Sequence, residues 1–122
     1  MSKRYPALIV ADMIQCIEEL VSFTQGFSYE SFIEDTKTFR AVLASTMILG
    51  EAVRHLDDVT MALAPTIEWH KLRGMRNHLI HEYFDVDSQI LWMVATVEAP
   101  KLLDPLKTLQ AQLPKNGGSL HA

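Results

Sequence analysis

The sequence has a single cysteine, Cys16, so it cannot form an internal disulfide and does not require an oxidising compartment. It has no apolar run near the roughly 20 residues that a membrane-spanning helix needs. No signal-peptide pattern follows Met1, because Pro6 and Asp12 interrupt the apolar residues near the start. We therefore expect a cytoplasmic protein.

Basic residues are in the minority, with 11 Lys and Arg against 15 Asp and Glu and a formal net charge of −4. This balance argues against a protein that coats DNA through a uniformly positive surface. The 122 residues are 48% hydrophobic and 21% charged, which is typical of one globular domain with its own core. A cationic site, if present, must therefore be local.

Apolar residues recur at spacings of three and four through most of the chain, as on one face of an α-helix. Alternating apolar and polar residues, which would indicate strands, are absent. Proline and glycine positions divide the pattern into five predicted helices: 6 to about 25, about 36–57, about 66–80, 89–98 and 102–113. The residues between 29 and 35 are expected to form a short acidic turn.

These segments predict an all-α fold, an antiparallel up-and-down bundle of four to five helices. The bundle should span residues 1–113, and residues 114–122 should form a flexible C-terminal tail. Gly50 falls in the middle of the second long helix, where glycine costs roughly 1 kcal/mol relative to alanine. We expect another helix to approach closely at that point.

The segment from His70 to His81 is basic within an acidic protein. It contains Lys71, Arg73 and Arg76, no acid, and three of the five histidines. Such a segment favours an anion site, with phosphate as the leading candidate. The alternative interpretation is a solvated helix face without a ligand.

The side chains in this segment suit RNA cleavage. Arg76 is a permanent, forked cation that matches phosphate oxygens, and Lys71 and Arg73 are further candidates for phosphate binding. His81 has an ordinary pKa of about 6.5, which suits proton transfer near neutrality. Asn77 is a neutral donor and acceptor between them and is the third candidate catalytic residue, with Arg76 and His81. Together these groups could hold a phosphate and move a proton without a metal.

The spacing of these residues makes the helix end important. Asn77 and His81 are four residues apart and would share one face of a continuous helix. Arg76 and His81 would lie about 140° apart on such a helix, so they converge only if it ends near Ile80 or if the arginine side chain reaches across. The acidic turn at 85–87 favours an ending near His81, and one of its aspartates should cap the next helix.

Other chemistry is less well supported by the residues. A zinc site from His70, His78, His81 and Glu82 is conceivable, but no cysteine partner or recognised zinc spacing is present. Cys16 lies among apolar residues and is expected to pack in the core. Ser45 and Ser88 have no evident base for a nucleophilic triad.

Residues 76–83 read Arg-Asn-His-Leu-Ile-His-Glu-Tyr, that is, arginine, four residues, histidine, one residue and tyrosine. This string resembles the signature of the HEPN superfamily, and specifically of its HepT-like ribonuclease toxins. The flanking segments resemble the same family over nearly the whole chain, at Gly50-Glu51-Ala52, Trp69, Tyr83-Phe84-Asp85-Val86-Asp87, Leu91-Trp92 and Glu98-Ala99-Pro100. His78 falls at a variable position of the pattern and receives no role.

The resemblance implies a two-fold homodimer in which two Arg-x4-His motifs, here Arg76 and His81, face one cleft. It also implies metal-independent endoribonuclease activity without a cofactor. A minimal nucleotidyltransferase would act as antitoxin and transfer AMP to Tyr83. The alternative is a non-catalytic helical module that binds nucleotide or substrate for such a nucleotidyltransferase.

Overall fold

The computed structural model describes residues 5–82 and 85–115, with the backbone alone for His81 and Glu82. Its elements in chain order are α1 (Pro6–Thr24), α2 (Tyr29–Glu34), α3 (Thr36–Arg54), α4 (Asp58–Ala62), α5 (Trp69–Arg73), α6 (Met75–Leu79), β1 (Ile80–Glu82), β2 (Asp85–Val86), α7 (Ser88–Met93) and α8 (Leu103–Ala111). A π-helical turn, Val94–Glu98, continues α7, and a 3₁₀ turn, Pro100–Leu102, leads into α8. The predicted all-α fold class is confirmed.

The two 19-residue helices, α1 and α3, form the centre of the fold. They pack along each other, and α8 and the π-helical turn cover α1. Their apolar faces meet in a core whose fully buried members include Val10, Met13, Ile17, Leu20, Val42, Leu49, Val53, Leu91, Leu106 and Leu109. In the described part of the chain, no helix has both the length and the hydropathy of a membrane span.

The first helix begins at Pro6 as predicted, and Gly26 with φ of +82° follows its end. Here a left-handed backbone is required, and glycine adopts it without steric cost. The expected acidic turn is instead the short helix α2. It is stabilised by a reciprocal capping box between Ser28 and Ser31, whose side chains each bond to the other's backbone amide.

The second long helix ends at Arg54, three residues earlier than predicted. The reason is Asp57, whose Oδ1 accepts a hydrogen bond of 2.8 Å from the amide of Thr60 and begins α4. A side-chain cap therefore starts a new helix where apolar spacing predicted continuation. Helix α4 was not predicted, since five residues are too few to show a helical period.

The third predicted helix, from Thr66 to Ile80, is two short helices in the structure. It begins at Trp69, breaks at Gly74 and ends at Leu79. Gly50 faces this region as expected: a Cβ added there would lie 3.4 Å from Cε of Met75 in α6. The close approach is therefore made by a side chain of α6.

The expectation of no strand was wrong. Strands β1 and β2 form a small antiparallel pair in which Ile80 lies opposite Val86 and Glu82 opposite Asp85. The strands have three and two residues, which is too short for a recognisable alternation. The expected tail lies mostly outside the described residues, which end at Lys115.

Candidate active site

The basic segment of the sequence forms α5 and α6, and both helices pack against α3. Trp69 fixes the start of α5, because its indole Nε1 donates to the carbonyls of Met61 (3.0 Å) and Ala64 (3.1 Å). A buried indole usually needs such a partner. Trp69, which precedes the motif, therefore joins the basic segment to the end of α4 by hydrogen bonds.

Helix α6 ends at Leu79, and Ile80 has an extended backbone with φ of −114° and ψ of 107°. The predicted helix end near Ile80 is therefore confirmed, and the backbone of His81 lies in β1. Asn77 and His81 do not share a helix face, because no helix connects them. The convergence of the Arg76 and His81 side chains stays a prediction, since the structure describes His81 by its backbone alone.

Asp87, which follows β2, forms hydrogen bonds that hold the backbone on both sides of the β1–β2 segment. The amide of Asp87 donates a 2.7 Å hydrogen bond to the carbonyl of Leu79, which is the last residue of α6. The Oδ1 of Asp87 accepts from the amide of Ile90 at 3.0 Å and caps α7. Of the two aspartates in the predicted turn, Asp87 is thus the helix cap. It joins both ends of the segment that contains His81.

A cavity of about 270 Å³ lies between α3 and the α5–α6 segment. Arg73, Arg76 and Leu79 line it from the motif side, and Glu51 and Arg54 line it from α3. This volume is slightly below the roughly 300–1,000 Å³ of small-molecule sites. The cavity therefore suits one part of a ligand rather than a whole oligonucleotide.

The three predicted cations differ in their surroundings. Arg76 is exposed, lines the cavity and has no hydrogen bond or ion pair with any described residue. Arg73 also lines it, but its guanidinium lies 3.7 Å from Oδ1 of Asp58 and 3.3 Å from Sδ of Met61. Lys71 does not line the cavity and pairs with Glu68 at 3.0 Å. Of these three cations, Arg76 is thus the one without a hydrogen bond or ion pair among the described residues.

Asn77 is exposed on α6 and is not among the cavity-lining residues. Tyr83 lies outside the described residues, and the structure describes His81 by its backbone alone. Among the residues that the structure describes, no three His, Cys, Asp or Glu side chains are placed to share a metal ion. His70 and His78 are both exposed.

The alternative nucleophiles have structural roles. Burial raises the pKa of the Cys16 thiol to about 11, and the negative charges of Glu19 and Asp12 add to this effect. The thiol is therefore protonated near neutrality and is a poor nucleophile. Ser45 is 4% exposed and donates to Oε1 of Glu19 at 3.1 Å. The hydroxyls of Ser88 and Tyr29 are hydrogen-bonded to each other at 2.8 Å and join α7 to α2.

Arg54 was not predicted as a site residue, and Glu51 was noted only within the string Gly50-Glu51-Ala52. One signal in the sequence could have found Arg54. Gly50 marks the place where α3 meets the basic segment, so its neighbours on that helix face are candidates for the site. Arg54 follows Gly50 by four residues, which places the two on one face of α3.

The fold is all-α, and arginines from α3, α5 and α6 line its cavity. Residues 13–109 match the family described as "Ribonuclease HepT-like". The chain therefore belongs to the HepT-like ribonuclease family, which confirms the resemblance and the expected class of enzyme, a ribonuclease.

Two relatives illustrate the similarity. The chain is 34% identical to "Probable ribonuclease HepT" of Thermococcus cleftensis over 99 residues, which is 81% of this chain and 90% of the relative. It is 31% identical over 102 residues to "Putative RNase MJ1380" of Methanocaldococcus jannaschii, which is 84% of this chain and 94% of the relative. No solved structure matches the chain.

Proposed function

We propose that this chain is a metal-independent endoribonuclease in which Arg76 holds the scissile phosphate and His81 transfers a proton. The observation that carries the proposal is the guanidinium of Arg76, which lines the cavity and has no hydrogen bond or ion pair with any described residue. Arg76 precedes the motif histidine by five residues. Asn77, between them in sequence, would be the third catalytic residue and would contact the reacting RNA through its side-chain amide. Arg73 and Lys71 would contact flanking phosphates, with Lys71 free to exchange Glu68 for a phosphate because both are exposed.

The proposed reaction is an internal transesterification. The 2′-oxygen of the ribose attacks the phosphorus, and the bond from phosphorus to the 5′-oxygen of the next nucleotide breaks. One proton leaves the 2′-hydroxyl, and one is delivered to the departing oxygen. Arg76 would stabilise the negative charge that grows on the phosphoryl oxygens, and His81 would serve in proton transfer. The products would carry a 2′,3′-cyclic phosphate and a 5′-hydroxyl.

Purified protein is expected to cleave RNA equally well with and without EDTA, because no step of this reaction needs a metal ion. Gel analysis of the fragments and of their 2′,3′-cyclic ends is the measurement. Activity that is lost in EDTA and restored by zinc would support the metal site instead. RNA that is bound but never cleaved would support the alternative of a non-catalytic partner of a nucleotidyltransferase.

The proposed enzyme is a two-fold homodimer. One arginine and one histidine are a small catalytic set for a single chain, whereas an isologous interface brings two copies of each to one cleft. Light scattering at micromolar concentration is expected to give a mass about twice the 13.8 kDa of the chain. A monomer with full activity would refute this arrangement.

We further propose that the enzyme is the toxin of a type II toxin–antitoxin system. A nucleotidyltransferase would neutralise it by AMPylating Tyr83. The family membership and the Arg-x4-His-x-Tyr string support this role. The adjacent reading frame is the simplest check, since a short nucleotidyltransferase is expected there.

A further inference from the structure

Arg54 is a positively charged residue that lines the cavity and lies outside the Arg-x4-His motif. It lies in the last turn of α3 and lines the same cavity as Arg76. Its side chain is exposed and has no hydrogen bond or ion pair with any described residue. The cavity thus has on each side a guanidinium without a partner among the described residues, Arg54 on α3 and Arg76 on α6.

Glu51 also lines the cavity, but no described ion pair joins its carboxylate to Arg54 or Arg76. Oε1 of Glu51 lies 3.3 Å from Nε2 of His55, one turn along α3. Asp58, the partner of Arg73, is not among the lining residues. Arg54 and Arg76 therefore face the cavity without a carboxylate held against either, which favours an anionic ligand with more than one negative group.

The same cavity also offers apolar surface. Ile48 lines it and is 56% exposed, the most exposed of the large apolar side chains described, and Met75 lines it from α6. A simple anion would need only the arginines. Guanidinium groups beside apolar surface instead suit a nucleotide, whose phosphates are charged and whose base has an apolar face.

We propose that Arg54 binds a second phosphate of the RNA, next to the phosphate that Arg76 holds, with the nucleotide between them lying over Ile48. This inference rests on the proposed ribonuclease function and adds α3 to the path of the RNA. It makes Arg54 a substrate-binding residue with no role in proton transfer. A purely structural alternative is that Arg54 stabilises the carboxyl end of α3 through the helix dipole.

The test uses the full chain with His81→Ala, so that the RNA stays intact, and a fluorophore-labelled single-stranded RNA. Anisotropy gives the Kd at several salt concentrations for this parent, for added Arg54→Gln and for added Arg40→Gln. Arg40 is the matched control, because it is an exposed arginine on the same helix that does not line the cavity.

Arg54→Gln is expected to raise Kd about tenfold, since a charge-assisted contact is lost. It should also reduce the slope of log affinity against log salt by about 0.7, the value for one phosphate contact on a single strand. Arg40→Gln should leave both quantities at the parent values. Circular dichroism melts show whether either substitution changes the fold.

Equal Kd values and slopes for the two variants would overturn the role of Arg54, even if Arg54→Gln shifts the melting temperature. Absence of RNA binding by the parent would overturn it as well. Cleavage by the protein with native His81 separates the two proposals. Cleavage without an Arg54 effect on binding refutes this inference alone, whereas Arg54-dependent binding without cleavage refutes the ribonuclease alone.

Discussion

Replacing either Arg76 or His81 with alanine is expected to abolish detectable RNA cleavage. Loss of a proton-transfer group costs about 10²–10⁴-fold in rate. Loss of a donor aimed at developing negative charge costs about 10²–10³-fold. The measurement is the rate of RNA cleavage by each purified variant under single-turnover conditions.

The structure gives a reason to expect that the Arg76 variant still folds. Arg76 is exposed and makes no hydrogen bond or ion pair with any described residue, so its replacement leaves none of those residues without a partner. The helical circular dichroism of the Arg76→Ala variant should match that of the native protein. Arg40→Ala, an exposed arginine outside the cavity, is the matched control and should cleave at the native rate. Cleavage at the native rate by both site variants would refute the assignment.

The position of Asn77 bears on how far the proposed site extends beyond the cavity. Its side chain is exposed and is not part of the cavity wall that Arg76 lines. If Asn77 acts by binding RNA, its contribution comes from ligand contact outside that cavity. The proposed site would then extend along the exposed face of α6, toward His81 in β1.

The long elements of the fold could be predicted because their apolar residues repeat over several turns. The start of α1 at Pro6 and the approach of α6 to Gly50 follow from such local signals. The ends of helices were harder, since they depend on single side chains. Asp57 begins α4 and ends the predicted long helix early, although the apolar spacing continues through Leu56.

The chemistry of the site stays a prediction from residue types, and the structure tests only part of its geometry. The residue types indicated a phosphate-binding arginine and a proton-transferring histidine, and the acidic turn indicated a helix end near His81. Lys71 and Arg73 are paired with Glu68 and Asp58 in the structure. The sequence could not show this, because ion pairing depends on folded positions rather than on the charge of the segment. Arg54 lies 22 positions before Arg76 in sequence, and only packing of α3 on α6 brings it to the same cavity.

Tyr83 is expected to be the residue through which the partner nucleotidyltransferase controls the enzyme. It lies outside the described residues, two positions after His81 and two before β2. An attached nucleotide would bring bulk and at least one negative charge close to the motif. Its phosphate could pair with Arg76 and occupy the place of the RNA phosphate.

Co-expression with the neighbouring nucleotidyltransferase, followed by intact mass measurement, tests this control. Added AMP should be present on the native chain and absent from Tyr83→Phe, which should remain toxic in the presence of the partner. The chain has three tyrosines, which supply the control. Tyr5 is 47% exposed, so Tyr5→Phe removes an accessible phenol and should leave both the modification and the neutralisation unchanged.

The opposing interpretation is that Tyr83 is a packing residue whose phenol bonds to a nearby carbonyl, as phenols commonly do. In that case Tyr83→Phe should lower the melting temperature, and the partner should modify and neutralise the variant as it does the native chain. The two interpretations thus differ in both mass and toxicity. Because phenylalanine keeps the ring and removes only the hydroxyl, loss of the added AMP without a change in melting temperature would identify that oxygen as the acceptor.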